Sequence, residues 1–282
     1  MKLLRVISYV CLAAAACAGG TAAAKDRDAA LVLGDSVAFA YINSAGHEYI
    51  NPDNFLGFAD DLEDTLRVES VDAACPGETT GSFLSSTAAD NGCRAFRANF
   101  PLHVAYGGTQ LAFAKQYLIR HRDVRLVTIT LGANDGFLLE DACASQPDPT
   151  ACIGAGVPAL LATVEGNMQT ILADLRATGF GGAIVITNYY SLDYSNVAAT
   201  GLTALLNGAI EAPAAAYGAV VADLFTAFKT VAANPVFGGN TCNAGLLNAS
   251  VHNQLLCDVH PSQSGHRLIA RTIARAFRAV DD

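Results

Sequence analysis

The sequence predicts an α/β domain of three layers, α/β/α, in which a parallel sheet of five strands carries helices on both faces. Two observations lead there. Short apolar runs ending at Gly, Asn or Asp alternate along the chain with longer stretches of helical periodicity, which is the pattern of strands joined by crossover helices. The chain beyond residue 24 is also long enough for one full core, with no repeat, tail or low-complexity tract to suggest a second.

The elements follow in order. "ALVLG" (30–34) reads as the first strand, and "RVESVDAA" (67–74), "VRLVTITLG" (124–132), "GAIVITNYY" (182–190) and "GAVVADLF" (218–225) as the next four. Helical patterns between them include "GTQLAFAKQYLIRH" and "VPALLATVEGNMQTILADLRATG", and "SGHRLIARTIARAF" is an amphipathic final helix. In such sheets ligands gather where loops meet at the carboxyl ends of the strands.

The first 24 residues read as a secretory leader. Lys2 and Arg5 precede an apolar run over about 6–16, and small residues ending in Ala22, Ala23 and Ala24 precede the charged "KDRD". Cys17 invites a lipid-attachment reading, but Ala14 stands three places before it, where such signals carry a larger aliphatic side chain, so cleavage near Ala24 is expected. The apolar run is too short to span a bilayer, and no later stretch reads as long and apolar enough to do so, so a secreted, soluble monomer without stable membrane insertion is expected. Loss of Lys2 and Arg5 takes the net charge from −9 to −11, which disfavours nucleic acid as a partner.

Six cysteines remain after the leader. In an exported chain they point to disulfides, and although six allow fifteen connectivities, spacing prefers Cys75 with Cys93, Cys143 with Cys152 and Cys242 with Cys257, each pair inside one loop-like stretch. No paired C-x-x-C or histidine cluster has ligand spacing, so no metal and no other cofactor is expected.

Four residues stand at strand ends or on the way into the last helix: Ser36 in "GDS", Gly77 in "CPGETTG", Asn134 in "GAND" and His260 in "DVHP". Each has a plain structural explanation. Ser36 and Asn134 suit helix caps, Gly77 suits a turn after proline, and His260 suits a solvated loop. Together they are the parts of an acyl-transfer site. Serine needs a base, histidine is the side chain best suited to serve near neutral pH, and the N–H groups of Ser36 and Gly77 with the amide of Asn134 can form an oxyanion hole.

These four residues, in this order, resemble the SGNH hydrolases, also known as GDSL-type esterases and lipases, over about residues 30–272, and most of all their secreted, disulfide-bonded streptomycete branch. The resemblance implies a flavodoxin-like three-layer fold, disulfides between neighbouring cysteines, and hydrolysis of a small-molecule or lipid ester through an acyl-serine. The family's last motif is Asp-x-x-His, yet the aspartate position here is Cys257 and Asp258 stands one place later. If the usual carboxylate position, 257, faces the imidazole and side chains alternate along an extended lead-in, Asp258 faces away from His260. The Cys257 carbonyl is then the expected acceptor for the imidazole, with Asp258 the alternative.

A rival α/β-hydrolase fold would need G-x-S-x-G, but Ala38 occupies the last position and the serine follows the first strand. A non-catalytic glycan- or lipid-binding relative is the other alternative. His47, His103, His121, His252 and His266 read as structural, and Glu78 and Asp135, beside motif residues, as pointing elsewhere. The loops over 37–60 and 136–160 are expected to select the substrate.

Overall fold

The computed structural model describes residues 28–250 and 256–281. The expected leader, Cys17, the cleavage point and His252 lie outside them. Along the chain the elements are β1 (Ala29–Gly34), α1 (Phe58–Leu66), β2 (Glu69–Asp72), α2 (Thr80–Leu84), α3 (Cys93–Asn99), α4 (Gln110–Arg120), β3 (Val124–Thr130), α5 (Ala133–Cys143), α6 (Pro149–Ala177), β4 (Ala183–Thr187), α7 (Val197–Glu211), β5 (Ala219–Ala222), α8 (Leu224–Ala232), β6 (Leu247–Ala249), β7 (Cys257–Pro261) and α9 (Gln263–Asp281).

Five strands form one parallel sheet in the order β2-β1-β3-β4-β5. All six residues of β1 are buried, which is why this strand is legible as an unbroken apolar run. Helices α1 and α9 pack on each other, α9 also against β4 and β5, and α4, α5 and α7 pack on α6. On α9, Ile269, Ala270, Ile273, Ala274 and Phe277 are buried at helical spacing. The chain steps from β1 to β2 on one side and then to β3 on the other, so successive crossovers diverge and a crevice opens between β1 and β3. Ser36 follows β1 and Asn134 follows β3.

Helix α6 departs from the sequence reading in two ways. It begins at Pro149 rather than near 157, started by the Asp148 side chain, which accepts the Ala151 N–H at 2.9 Å. At 29 residues, with a mean hydropathy of 1.2 over an 18-residue window that is only 11% buried, it is also long and apolar enough to cross a membrane, contrary to the expectation that no such segment exists. Its apolar character comes from Ala, Leu, Val and Ile spread over many turns. Within this fold its second half is core, with Val164, Met168, Ile171, Leu172 and Leu175 buried.

The extended lead-in to the last helix is also more than a loop. It is β7, paired antiparallel with β6 through Leu247↔Pro261 and Ala249↔Cys257, and tied to the preceding loop by the Cys242–Cys257 disulfide. The other disulfides are Cys75–Cys93 and Cys143–Cys152.

Candidate active site

At the end of β1 the chain makes a tight turn. The Val37 N–H bonds back to Asp35 Oδ1 at 2.9 Å, and the Ser36 carbonyl accepts the Tyr41 N–H. No helix starts at this turn, which Asp35 closes, and the serine hydroxyl is free for another partner. That partner is 224 residues away: Ser36 Oγ lies 2.9 Å from His260 Nε2.

The other imidazole nitrogen, Nδ1, lies 2.8 Å from Asp258 Oδ2. This corrects the expectation that Asp258 faces away and the Cys257 carbonyl orients the ring. Residues two apart on a strand share a face, and Asp258 and His260 are both on β7, so the aspartate one place nearer than the usual spacing reaches the ring directly. Burial pushes the Asp258 carboxyl up, but its hydrogen bond and charge interaction with His260, and the N–H groups of Asn43 and Val259, outweigh this and hold it below the usual aspartate range. Strand β7 is itself held, since the Tyr190 hydroxyl donates to the Val259 carbonyl at 2.7 Å. Tyr41 covers the ring edge-on, centroids 5.0 Å apart.

Two backbone N–H groups beside this pair have no acceptor among the described residues: those of Ser36 and Gly77. Pro76 has no N–H, and the other neighbours each have an acceptor. The Asp35 N–H donates to Thr130, that of Val37 to Asp35, and that of Glu78 to Cys75. Unpaired buried N–H groups are rare in folded proteins, and Gly77 is buried. Gly77 holds φ +84°, and a Cβ there would lie 2.2 Å from the Asn91 carbonyl oxygen, so only glycine fits. Asn134 is buried in the first turn of α5. Its Nδ2 donates to the Glu78 carbonyl at 3.0 Å and reaches Asp35 Oδ2 only at 3.5 Å, leaving that second hydrogen weakly committed.

The buried acids act as struts. Asp35 is pushed up to about 6 by burial, against the Tyr189 hydroxyl that donates to it. Burial raises Glu78 to about 7, against its bonds to Ser82 and Gln110. Asp135 accepts from the Thr80 backbone and hydroxyl, tying α5 to α2. Both residues beside the motif positions therefore bond away from Ser36. Glu78 also lies near the sulfurs of Cys75 and Cys93, but these are joined as a disulfide and offer no thiolate to a metal. Of the other histidines, His266 is buried, and desolvation followed by the charge of His260 lowers it to about 3.

Sequence reading missed three supporting residues. Gln110 clamps the end of β1 by accepting the Gly34 N–H at 2.6 Å and donating to its carbonyl at 3.0 Å. Tyr189 and Asn91 are the others, and all three act across long sequence separations with no local signature.

Ser36, Asn134 and His260 open into a cavity of about 390 Å³. A larger open groove of about 660 Å³ beside α4 includes none of these residues. From 37–60 only Val37 reaches the cavity wall, because Tyr41, Tyr49 and Phe55 stack on one another at 5.4 Å instead. The 136–160 region does contribute, through Phe137, Leu139, Ile153 and Val157, and an unforeseen wall comes from 189–206, including Leu202 and Leu206.

The sequence profile of the GDSL-like Lipase/Acylhydrolase family matches residues 32–268. No curated protein is matched by the sequence. Among solved structures the fold is similar to an alpha/beta hydrolase enzyme from the metagenome of Lake Arreo, Spain, with 16% identity, TM-score 0.57, 91% of this chain covered and 98% of that one. It is similar also to phospholipase A1 from Streptomyces albidoflavus NA297, with 19% identity, TM-score 0.56, and coverage of 87% and 98%. A third similar structure is an acetylxylan esterase from Geobacillus stearothermophilus, with 14% identity, TM-score 0.55, and coverage of 89% and 94%.

Proposed function

The chain belongs to the GDSL-like lipase/acylhydrolase family, and from that premise and the geometry at Ser36 we propose that it is an exported serine esterase or lipase that hydrolyses carboxylic esters through an acyl-serine intermediate. The observation that carries this is the relay itself: Ser36 Oγ, His260 Nε2, His260 Nδ1 and Asp258 Oδ2 joined by contacts of 2.9 and 2.8 Å. Asp258 holds the proton on Nδ1, so Nε2 presents its lone pair to the serine hydroxyl.

Ser36 Oγ attacks the ester carbonyl carbon as its proton passes to His260 Nε2. The carbonyl oxygen gains the negative charge and receives hydrogen bonds from the Ser36 and Gly77 N–H groups and Asn134 Nδ2. Collapse breaks the bond to the alkoxy oxygen, which takes the proton from Nε2 and leaves as the alcohol. Water then repeats the sequence on the acyl-serine, giving its proton to Nε2 and releasing the carboxylic acid and free Ser36.

The apolar walls of the cavity favour an aliphatic acyl group over a sugar. Three disulfides and the composition of residues 1–24 favour an oxidising, exported setting, with residues 25–282 as the working domain. A non-catalytic binder would have no use for the relay. The test is labelling by a fluorophosphonate together with turnover of p-nitrophenyl esters of rising chain length. Label on Ser36 with measurable turnover supports the reading, whereas no label and no turnover of any ester refutes it.

A further inference from the structure

Asn91 touches both remote donors of the oxyanion hole at once. Its backbone N–H donates to the Gly77 carbonyl at 2.8 Å, and its side-chain Nδ2 donates to Asn134 Oδ1 at 2.8 Å. It lies in the loop closed by the Cys75–Cys93 disulfide, with the α-carbon of Gly77 packed against its carbonyl. The side-chain contact matters because a carboxamide is nearly symmetric in shape and opposite in sense at its two ends. Turned one way, Asn134 offers N–H to a developing oxyanion. Turned the other way, it offers an oxygen that repels it.

Building on the assignment of Ser36, Gly77 and Asn134 above, we propose that Asn91 is a positioning residue that sets the sense of the Asn134 amide, by donating to its oxygen so that its nitrogen faces the oxyanion. The Glu78 carbonyl, accepting from Asn134 Nδ2 at 3.0 Å, supports the same orientation from the other end. Removing the Asn91 donor therefore weakens the preference, whereas replacing the donor by an acceptor reverses it. Asn91→Asp has the same shape as the native residue, but an aspartate beside Asn134 attracts the amide nitrogen and turns the oxygen toward the reacting carbonyl.

The experiment compares kcat and KM of Asn91→Ala, Asn91→Asp, Asn134→Ala and the double variant Asn91→Asp/Asn134→Ala on one p-nitrophenyl ester, with thermal melting as the check on folding. Asn91→Ala is expected to lose kcat about 10-fold, the scale of one neutral hydrogen bond. Asn91→Asp is expected to lose roughly 10²- to 10³-fold, as much as deleting the donor, with KM within about 3-fold of the parent. In the double variant the aspartate should cost nothing beyond Asn134→Ala, because the amide it acts through is gone. Equal losses for Asn91→Ala and Asn91→Asp, or additive losses in the double variant, would overturn the proposal and leave Asn91 a loop residue. If Asn91→Asp melts far below the parent, Asn91→Ala alone in the two Asn134 backgrounds decides by the same additivity. Failure here with normal Ser36 labelling leaves the esterase assignment standing, whereas absence of parental turnover removes both.

Discussion

Replacing Asp258 by asparagine keeps the shape of the side chain and removes its charge. In the proposed mechanism the His260 imidazole takes the proton of Ser36 during attack and then carries a full positive charge 2.8 Å from the Asp258 oxygen. Charge centres about 4 Å apart at an effective dielectric near 20 attract by about 4 kcal/mol, which corresponds to about a 10³-fold difference in rate. Solvent weakens this little, because the two side chains are only 12% and 10% exposed. The amide also has no orientation that preserves the native contacts. With its oxygen toward His260, its nitrogen opposes the Val259 N–H, which now donates to Oδ1. Turned over, it donates to Nδ1 and forces the proton onto Nε2, where it blocks acceptance from Ser36. A loss of roughly 10³- to 10⁴-fold in kcat is expected, the upper value being the scale of a triad aspartate-to-asparagine change in serine proteases. The assay is steady-state hydrolysis of p-nitrophenyl butyrate, with melting temperature confirming the fold. A loss under about 10-fold in a folded variant would refute the relay as drawn and return the orienting role to the Cys257 carbonyl.

Ser36→Ala should remove turnover by on the order of 10⁶-fold while melting as the parent does, and substantial residual hydrolysis would place the nucleophile elsewhere. Asn134→Ala should lower kcat by roughly 10²- to 10³-fold with little change in KM, and a change confined to KM would make it a binding residue. Stability should fall as pH rises from about 4 to 6, because burial raises Asp35 and Asp72 to about 6 and Glu78 to about 7, so in that window the native state holds protons that the unfolded chain has released. His266, lowered to about 3 by burial, opposes this, since its stabilisation is complete above about 6.5 and is lost as pH falls toward 3. One imidazole is outnumbered by three carboxyls, so the melting temperature should be higher at pH 5 than at pH 7 by roughly 5 °C, and a rise from pH 5 to 7 would show that the carboxyls are not buried as described.

What could be read from the sequence and what could not divide along a physical line. Strand β1 and the serine after it were legible because a strand buried on both faces leaves an unbroken apolar run, and the turn that ends it needs small or capping residues such as Gly34 and Asp35. The parallel sheet was legible through the alternation of elements, and with it the place of Asn134 at a strand end, whereas the order that sets β3 beside β1 comes from the structure. The orientation of Asp258 departs from the sequence expectation for a local reason. The parity that matters is between Asp258 and His260 themselves, two apart on a strand whose partner β6 the sequence does not announce. The walls of the cavity at 189–206 and the contact of Asn91 with Asn134 were illegible for a different reason. Neither depends on a local pattern. Which face of α7 meets the site follows from how it docks on α6, and Asn91 reaches Asn134 only because the chain between Cys75 and Cys93 folds back over Gly77. The residues proposed to react thus sit where secondary structure places them, and those proposed to aim them come from tertiary packing. Substitutions at Ser36 or His260 therefore test a reading already present in the sequence, whereas Asn91 and Asp258 test what only the three-dimensional arrangement supplies.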